Sequence, residues 1–326
     1  MHTSSPPPKL NAVVTRIHAH GLDEASEQLA RFMSVRYVQL ERGMASSFGE
    51  FAALETIAVG QLSADRHKVE WLDVPPGRLL MVAPVRGRAR AGTARIGPGQ
   101  IVLAHGPTQL VMCTEGGYAS WFVSMPDRNP GKVIGKGVRF LRGPTSGLET
   151  FDSCARRMIE AAENGSSSGV VLDLCNGWLS QARDEDATVT ASAARCQAAV
   201  RARQYIDDHL DRPLTLASVC QASYSSPRAL EYGFREIFGV SPITYIRCAR
   251  LSRVRRELYS SPYTSGKITQ LALQWGFWHL SQFSKDYFDL FGELPSITLG
   301  RASGRAHSNG CNCVAAPTRV AVAEPL

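Results

Sequence analysis

The chain has no apolar run approaching the eighteen or so residues a membrane helix needs, and no basic n-region followed by an apolar h-region at its start. A cytoplasmic protein without membrane contact is the expectation. A Walker loop and a dinucleotide fingerprint are also missing. The eight cysteines (113, 154, 175, 196, 220, 248, 311 and 313) are scattered, and only Cys311-Asn-Cys313, with His307 nearby, is closely spaced. Two thiolates and an imidazole would be three of the four ligands zinc prefers. They stand, however, in a Gly-, Ser- and Ala-rich tail, Arg301 to Leu326, with the composition of a flexible segment. Scattered thiols in an intracellular chain are mostly reduced and buried, so neither a disulfide framework nor a cofactor is expected.

What is present is concentrated in residues 195–300. From Ile268 to Phe288, Leu271 and Ala272, then Gly276, then Phe283 and Tyr287 at helical spacing predict two short helices packed about a turn. Gly276 ends the first helix because it tolerates positive φ. His279, Ser281 and Gln282 fall at the start of the second, where a recognition helix presents side chains to base edges. Leu280 stands among them and can meet a thymine methyl, and Lys285, one turn on, can reach a base or a phosphate. Trp278 reads as a packing residue at the helix entry.

The same pattern occurs upstream. Leu214 to Gly239 predicts a helix from Leu216, a turn near Tyr224 and Ser225, Ser226 as N-cap and Pro227 at the first helical position. Leu230, Phe234 and Ile237 form the buried face, which leaves Ser226, Pro227, Arg228, Glu231, Tyr232 and Arg235 as the candidate DNA contacts of this unit. Glu231 is the anomaly: an acid there repels phosphate unless it accepts from a cytosine amino group.

The ordered set Tyr205-Ile206, Pro213-Leu214-Thr215-Leu216, Phe234-Arg235, Gly239-Val240-Ser241-Pro242, Tyr245-Ile246, Arg250-Leu251, Lys267-Ile268-Thr269, Gly276-Phe277, Phe283-Ser284 and Pro295-Ser296 resembles transcriptional regulators of the AraC/XylS family. The run Trp275 to His279 is similar to the ethanolamine-utilisation regulator branch. The resemblance implies two helix-turn-helix units joined by a linker helix, here from Pro242 to about Leu258. Ile243, Ile246, Leu251, Val254 and Leu258 would pack on both units while Arg247, Arg250, Arg253, Arg255 and Arg256 supply charge. Such a spacer sets recognition helices about one DNA turn, roughly 34 Å, apart. Charge agrees: residues 195–305 hold 15 Lys/Arg against 9 Asp/Glu, an excess of 6 within a whole-chain +7. Binding that neutralises phosphates should weaken as salt rises.

The first two thirds read as β-rich from Val35 to about Met125, with runs at Tyr37–Leu40, Phe51–Gly60, Lys68–Val74, Arg78–Pro84, Ala94–Ile96, Gln100–Ala104, Gln109–Cys113 and Tyr118–Met125, punctuated by Pro75-Pro76-Gly77, Gly97-Pro98-Gly99 and Glu115-Gly116-Gly117. Short strands at this spacing suggest a sandwich or small barrel. The family resemblance sharpens this to a cupin-like β-barrel sensor with flanking helices, predicted at 22–33, 148–162 and 170–179. The fold class is therefore α+β: residues 1–20 disordered, 21–182 sensing and dimerisation, 183–194 linker, 195–300 the all-α DNA-binding domain and 301–326 a flexible tail.

The resemblance implies a sequence-specific regulator, an activator in most members, with promoter DNA, RNA polymerase and a small-molecule effector as partners and a homodimer as the assembly. Trp71, Tyr118 and Trp121 are the candidate effector-binding residues, each equally able to be plain core. A ligand-responsive repressor, a redox- or metal-responsive regulator and a cupin-type enzyme remain alternatives. The last needs convergent His and carboxylate ligands, whereas His67 and His105 occur singly and His18-Ala-His20 precedes the predicted strands.

Overall fold

The computed structural model describes residues 13–54, 56–127, 137–142, 147–164, 168–180, 182–184, 193–260 and 266–302; Cys311, Cys313 and His307 lie outside them. Thirteen strands are described: β1 Val13–His20, β2 Ser34–Gln39, β3 Ser46–Leu54, β4 Ile57–Ala64, β5 Lys68–Val74, β6 Arg78–Arg86, β7 Ala89–Ala91, β8 Ala94–Ile96, β9 Gln100–His105, β10 Thr108–Thr114, β11 Tyr118–Pro126, β12 Val138–Arg142 and β13 Arg183–Asp184. They form two antiparallel sheets, a large one ordered β1-β3-β4-β11-β6-β9-β12-β13 and a small one ordered β2-β5-β10-β7-β8. Neither ladder closes on itself among the described residues, so the observed architecture is a pair of facing sheets.

Alternation along the strands builds three cores. Between the sheets lie Ile17, Phe51, Leu62, Leu72, Leu80, Val82, Leu110, Met112 and Phe122, with helix α1, Leu22–Leu29, adding Leu22, Ala25 and Leu29. The outer face of the large sheet, including Val59, Met81, Trp121 and Val123, is covered by α2, Gly147–Glu163, and α3, Ser168–Leu179. The outer face of the small sheet presents Val38, Val69, Trp71 and Cys113 to the carboxy-terminal helices, in one continuous apolar cluster. Residues 13–20, expected to be disordered, form β1: Ile17 and Ala19 point inward while Arg16, His18 and His20 face out. The two histidines that hid this alternation sit on an exposed strand face, and His18 stacks on Phe48 at 4.7 Å.

The helical domain comprises α4 Ala193–Asp208, α5 Leu216–Ser223, α6 Pro227–Phe238, α7 Pro242–Tyr259, α8 Lys267–Gln274, α9 Leu280–Phe291 and α10 Pro295–Ala302. Ser241 caps α7, accepting from the Thr244 amide, and Pro242 occupies its first turn, so the helix starts where the sequence places it. Its arginines do not all face solvent. Arg255 is buried and pairs with Asp23 of α1 at 2.8 Å and with Glu293 at 2.7 Å, tying linker helix, sensor and second unit at one point. Arg256 donates to the Tyr37 carbonyl, and Arg250 to the carbonyls of Leu210 and Arg212. Ile243, expected to pack, is half exposed.

Below the small sheet, Trp71 lies between the guanidinium groups of Arg36 and Arg203, at 4.7 and 5.7 Å. Arg203 bonds Asp207 at 2.8 Å, and Asp207 accepts from the Tyr245 hydroxyl at 3.0 Å. Burial outweighs these partners and pushes the Asp207 carboxyl up to about 6 from 3.8. An acid whose folded pKa is raised binds its proton more tightly when folded, so its contribution favours folding at low pH and is lost as pH rises from 3.8 to about 6.

Two outcomes follow for solution measurements. Unfolding free energy of the wild type should fall relative to Asp207→Asn across that window, with a slope approaching about 1.4 kcal/mol per pH unit; a pH-independent difference in urea titrations would contradict the assignment. Arg255→Ala, which leaves two carboxylates buried without it, should cost about 3 kcal/mol in the same assay, against under about 1 kcal/mol for the exposed Arg16→Ala.

Candidate nucleic-acid interface

Each helix-turn-helix unit is built from the residues that the sequence pattern assigns to it. In the first, Thr215 and Ser218 form a reciprocal capping box at the start of α5. Tyr224 makes the turn in the left-handed conformation at φ 53°, where a non-glycine residue is strained. Ser226 then caps α6 by accepting from the Ala229 amide, with Pro227 following. Leu230, Phe234, Ile237 and Phe238 are buried, and Phe234 and Phe238 meet Tyr245 of α7. Gly233 is required for close packing, since a Cβ there would stand 2.6 Å from the Arg195 carbonyl oxygen of α4. The sequence pattern contained no signal for this.

The outer face of α6 carries two side-chain pairs, each one helical turn apart. Arg228 lies over the Tyr232 ring at 5.7 Å, and Arg235 donates to Glu231 at 2.9 Å. Arg235 therefore neutralises the acid that stood out in the sequence. Ser226 and Pro227 are exposed, but the Ser226 hydroxyl is committed to capping.

The second unit turns at Gly276, φ 81°, whose neighbour Trp275 is the buried tryptophan of this segment, with Arg253 over its ring at 5.3 Å. Trp278 is 75 % exposed, contrary to the packing role read from sequence. His279 is the N-cap residue of α9 and makes no side-chain capping bond. Leu280, Ser281, Gln282 and Lys285 are all exposed on the first turns, while Phe283, Tyr287 and Phe291 form an aromatic file behind them. Gln282 is oriented by a relay: its Nε2 donates to Asp286 at 2.8 Å, and Asp286 faces Arg247 of α7 at 3.7 Å. An amide so held keeps its carbonyl oxygen available as an acceptor. A groove of about 320 Å³ runs from Arg247 and Arg250 past Trp278 to His279 and Gln282.

Both α6 and α9 end against the β-rich half. Gly239, the left-handed cap of α6, approaches His67, and Gly292, the cap of α9, approaches Met44 so closely that a Cβ would lie 2.8 Å from its amide nitrogen. Gln39 donates to the Leu290 carbonyl and the Gly43 amide to that of Asp289.

The three residues expected to bind an effector are not brought together. Trp71 faces the helical domain, Trp121 faces α2 with its indole donating to Asp152 at 2.8 Å, and Tyr118 lies between the sheets. What does converge between the sheets is a polar group. Lys68 bonds Glu70 at 2.5 Å and Thr114 at 3.1 Å. Buried beside them, Glu70 Oε1 has no hydrogen-bond partner among the described residues, and the Tyr118 and Ser120 hydroxyls stand next to each other. A cleft of about 520 Å³ opens at one end of the same interior, lined by Phe32, Met33, Leu72, Val74 and Leu80 with Arg78 and Ser124. Among the described residues no three His, Cys, Asp or Glu side chains form a metal-binding group; His67 lies 3.2 Å from Cys113 and His105 lies 2.9 Å from Asp127. Burial pushes the thiols of Cys113, Cys175 and Cys248 up to about 12, which keeps them protonated. No helix among the described residues is long and apolar enough to cross a membrane.

Residues 219–301 match the model of a helix-turn-helix domain family. XylDLEGF operon transcriptional activator 3 of Pseudomonas putida is 29 % identical over 171 residues, 51 % of this chain and 52 % of its own length. XylDLEGF operon transcriptional activator 2 of the same organism is 37 % identical over 99 residues, 30 % of this chain and 63 % of its own. The chain thus spans between half and two thirds of these relatives. A solved structure, a probable AraC family transcriptional regulator from Rhodopseudomonas palustris, is 34 % identical over 32 % of this chain and 96 % of its own, with a TM-score of 0.30.

The strained, exposed turn residue gives a test of what the first unit's turn is kept for. Tyr224→Gly relieves the left-handed strain and should raise stability by about 1 kcal/mol, while weakening DNA retention in a gel-shift titration. Unchanged DNA affinity would show that the tyrosine has no part in the interface.

Proposed function

We propose, on the premise that the chain belongs to the AraC/XylS family of transcriptional regulators, that it activates transcription by reading two adjacent major-groove segments of a promoter under the control of a small molecule. The observation that carries this is the pair of helices α6 and α9, each with an exposed first turn and each ended by a left-handed glycine, joined by the unbroken eighteen-residue α7. Arg228 and Tyr232 read for the first unit. His279, Ser281, Gln282 and Lys285 read for the second, with Leu280 against a thymine methyl. Ser226 and Pro227 set the helix start at the DNA backbone, and the Glu231–Arg235 pair keeps that face neutral toward phosphate. RNA polymerase and a second copy of the chain are the further partners of this reading.

The effector enters the 520 Å³ cleft and places an apolar body against Phe32, Leu72, Val74 and Leu80. Glu70 stands one inward-facing position beyond Leu72 on β5, so a hydrogen-bonding group carried deeper meets the unpartnered Glu70 oxygen and the hydroxyls of Tyr118 and Ser120. Tyr118 thus keeps the role read from sequence, and Trp71 and Trp121 become supports on either outer face. The double-sheet sensor is cupin-like in this reading, and the chain regulates instead of catalysing.

Gel shifts on DNA from upstream of the gene, over a salt series and with a metabolite panel, test the proposal. Binding should be sequence-selective and weaken with salt. Arg228→Ala combined with Gln282→Ala should reduce selectivity at least tenfold, since each good base contact discriminates by about 1–3 kcal/mol. Full selectivity in the double variant would overturn the reader assignments.

A further inference from the structure

A second cavity, of about 330 Å³, lies at the joint between the sensor and the first helix-turn-helix unit, between the β7–β8 hairpin and the carboxy-terminal half of α6. Strand register sets its charge. Arg90 of β7 is directly opposite Arg95 of β8 on one side and Cys113 of β10 on the other. The two guanidinium groups therefore share the outer face of the small sheet, at the end of a row that runs through Cys113, Val69 and Val38 beneath the helical domain. Like charges directly opposite across an antiparallel pair repel. Arg88 and, from α6, Arg235 complete the basic lining. The carboxylates nearby are Glu115 and Glu236 in the wall and Glu231, which is hydrogen-bonded to Arg235. Four guanidinium groups thus meet three carboxylates, and burial lowers the proton affinity of the remaining basic group, His67.

The arrangement around Arg90 points to a ligand. Its side chain is only 9 % exposed, yet Nη2 has no hydrogen-bond partner among the described residues, and its approach to Glu236 at 3.7 Å is too long for a hydrogen bond. Its other terminal nitrogen, Nη1, makes a long hydrogen bond of 3.4 Å to the Thr93 carbonyl. A buried charged donor left unmet is costly, and the guanidinium fork matches two oxygens of one anionic group.

We propose that this cavity binds the oxyanion group of a small molecule, a carboxylate or a phosphate, held by Arg90 and Arg95 from the sensor sheet and by Arg235 from α6. Occupation relieves the Arg90–Arg95 repulsion and clamps the first unit to the sensor. The site is on the opposite face of the small sheet from the effector cleft, so it is a separate input to the regulator. Arg235 also belongs to the outer face of α6, so the proposal is tested on the chain without DNA.

Calorimetric titration of the full chain with inorganic phosphate and, separately, with succinate, at ionic strength held constant with chloride, tests this. Saturable binding of at least one probe is expected, weakened at least tenfold by Arg95→Gln, which alters an exposed side chain, and unchanged by Arg16→Gln on β1. Hydrogen exchange should slow in β7–β8 and the last turns of α6 when the probe is bound. Binding of phosphate alone or succinate alone identifies the preferred oxyanion. Absence of saturable binding by either probe, equal affinity in Arg95→Gln, or protection elsewhere in the chain would overturn the proposal.

Discussion

The architecture depends on one sheet serving two cores. Strand β5 directs Lys68, Glu70, Leu72 and Val74 into the sensor interior and Val69 and Trp71 into the cluster shared with the helical domain. Because side chains alternate, no residue of this strand can shift along its axis without moving both faces together. Trp71 carries the outer face into the helices through Arg203, Asp207 and the Tyr245 hydroxyl of α7. Glu70 and Trp71 are adjacent in the chain, so the polar interior and the hub of the helical domain are one peptide apart.

Much of this was legible in sequence where a single period governs the residues. The bounds of β5 and β8 and the start of α7 follow from alternation, capping and proline placement, and the exposed first turns of α6 and α9 follow from helical spacing. Other features depend on distant partners and leave no local trace. The run Phe51–Gly60 looked like one strand but belongs to two antiparallel partners, with Leu54 opposite Ile57; Phe51 and Ala58 face the inner core and Ala52, Leu54, Ile57 and Val59 the outer one, so apolar residues occupy both faces of each strand and hide the alternation. Gly233 and Gly292 are small because backbone from elsewhere passes close to them. The aromatics Trp71, Tyr118 and Trp121 looked equivalent in composition, and only the sheet register separates them into three layers.

The basic excess of the helical domain also changes meaning in three dimensions. Of the five arginines on α7, Arg255 is buried between two carboxylates, Arg250 and Arg256 donate to backbone carbonyls, Arg253 lies over Trp275, and Arg247 holds Asp286. Charge counted along a helix therefore overstates what is available to phosphate. The polar side chains left on the outer faces of α6 and α9 are fewer, and they are arranged by neighbours: Gln282 by Asp286, Arg228 beside Tyr232, Arg235 against Glu231.

The contacts between the halves bear on how a ligand in the sensor could control the helices. The β-rich half touches both α6 and α9 at their carboxy-terminal caps, Gly239 near His67 and Gly292 near Met44, and Arg255 joins α1 to the residues after α9. α7 runs unbroken between the two units, from Pro242 to Tyr259. In the proposed reading a ligand acts on whether the helical domain is docked as a body, with α7 spanning its two units. The size of any response is limited by the ligand's difference in affinity for docked and undocked forms: reversing a 99:1 population needs about 5.5 kcal/mol. A ligand that merely fills the interior cannot supply that difference. One that moves β5 can, because the outer face of that strand is itself the docking surface.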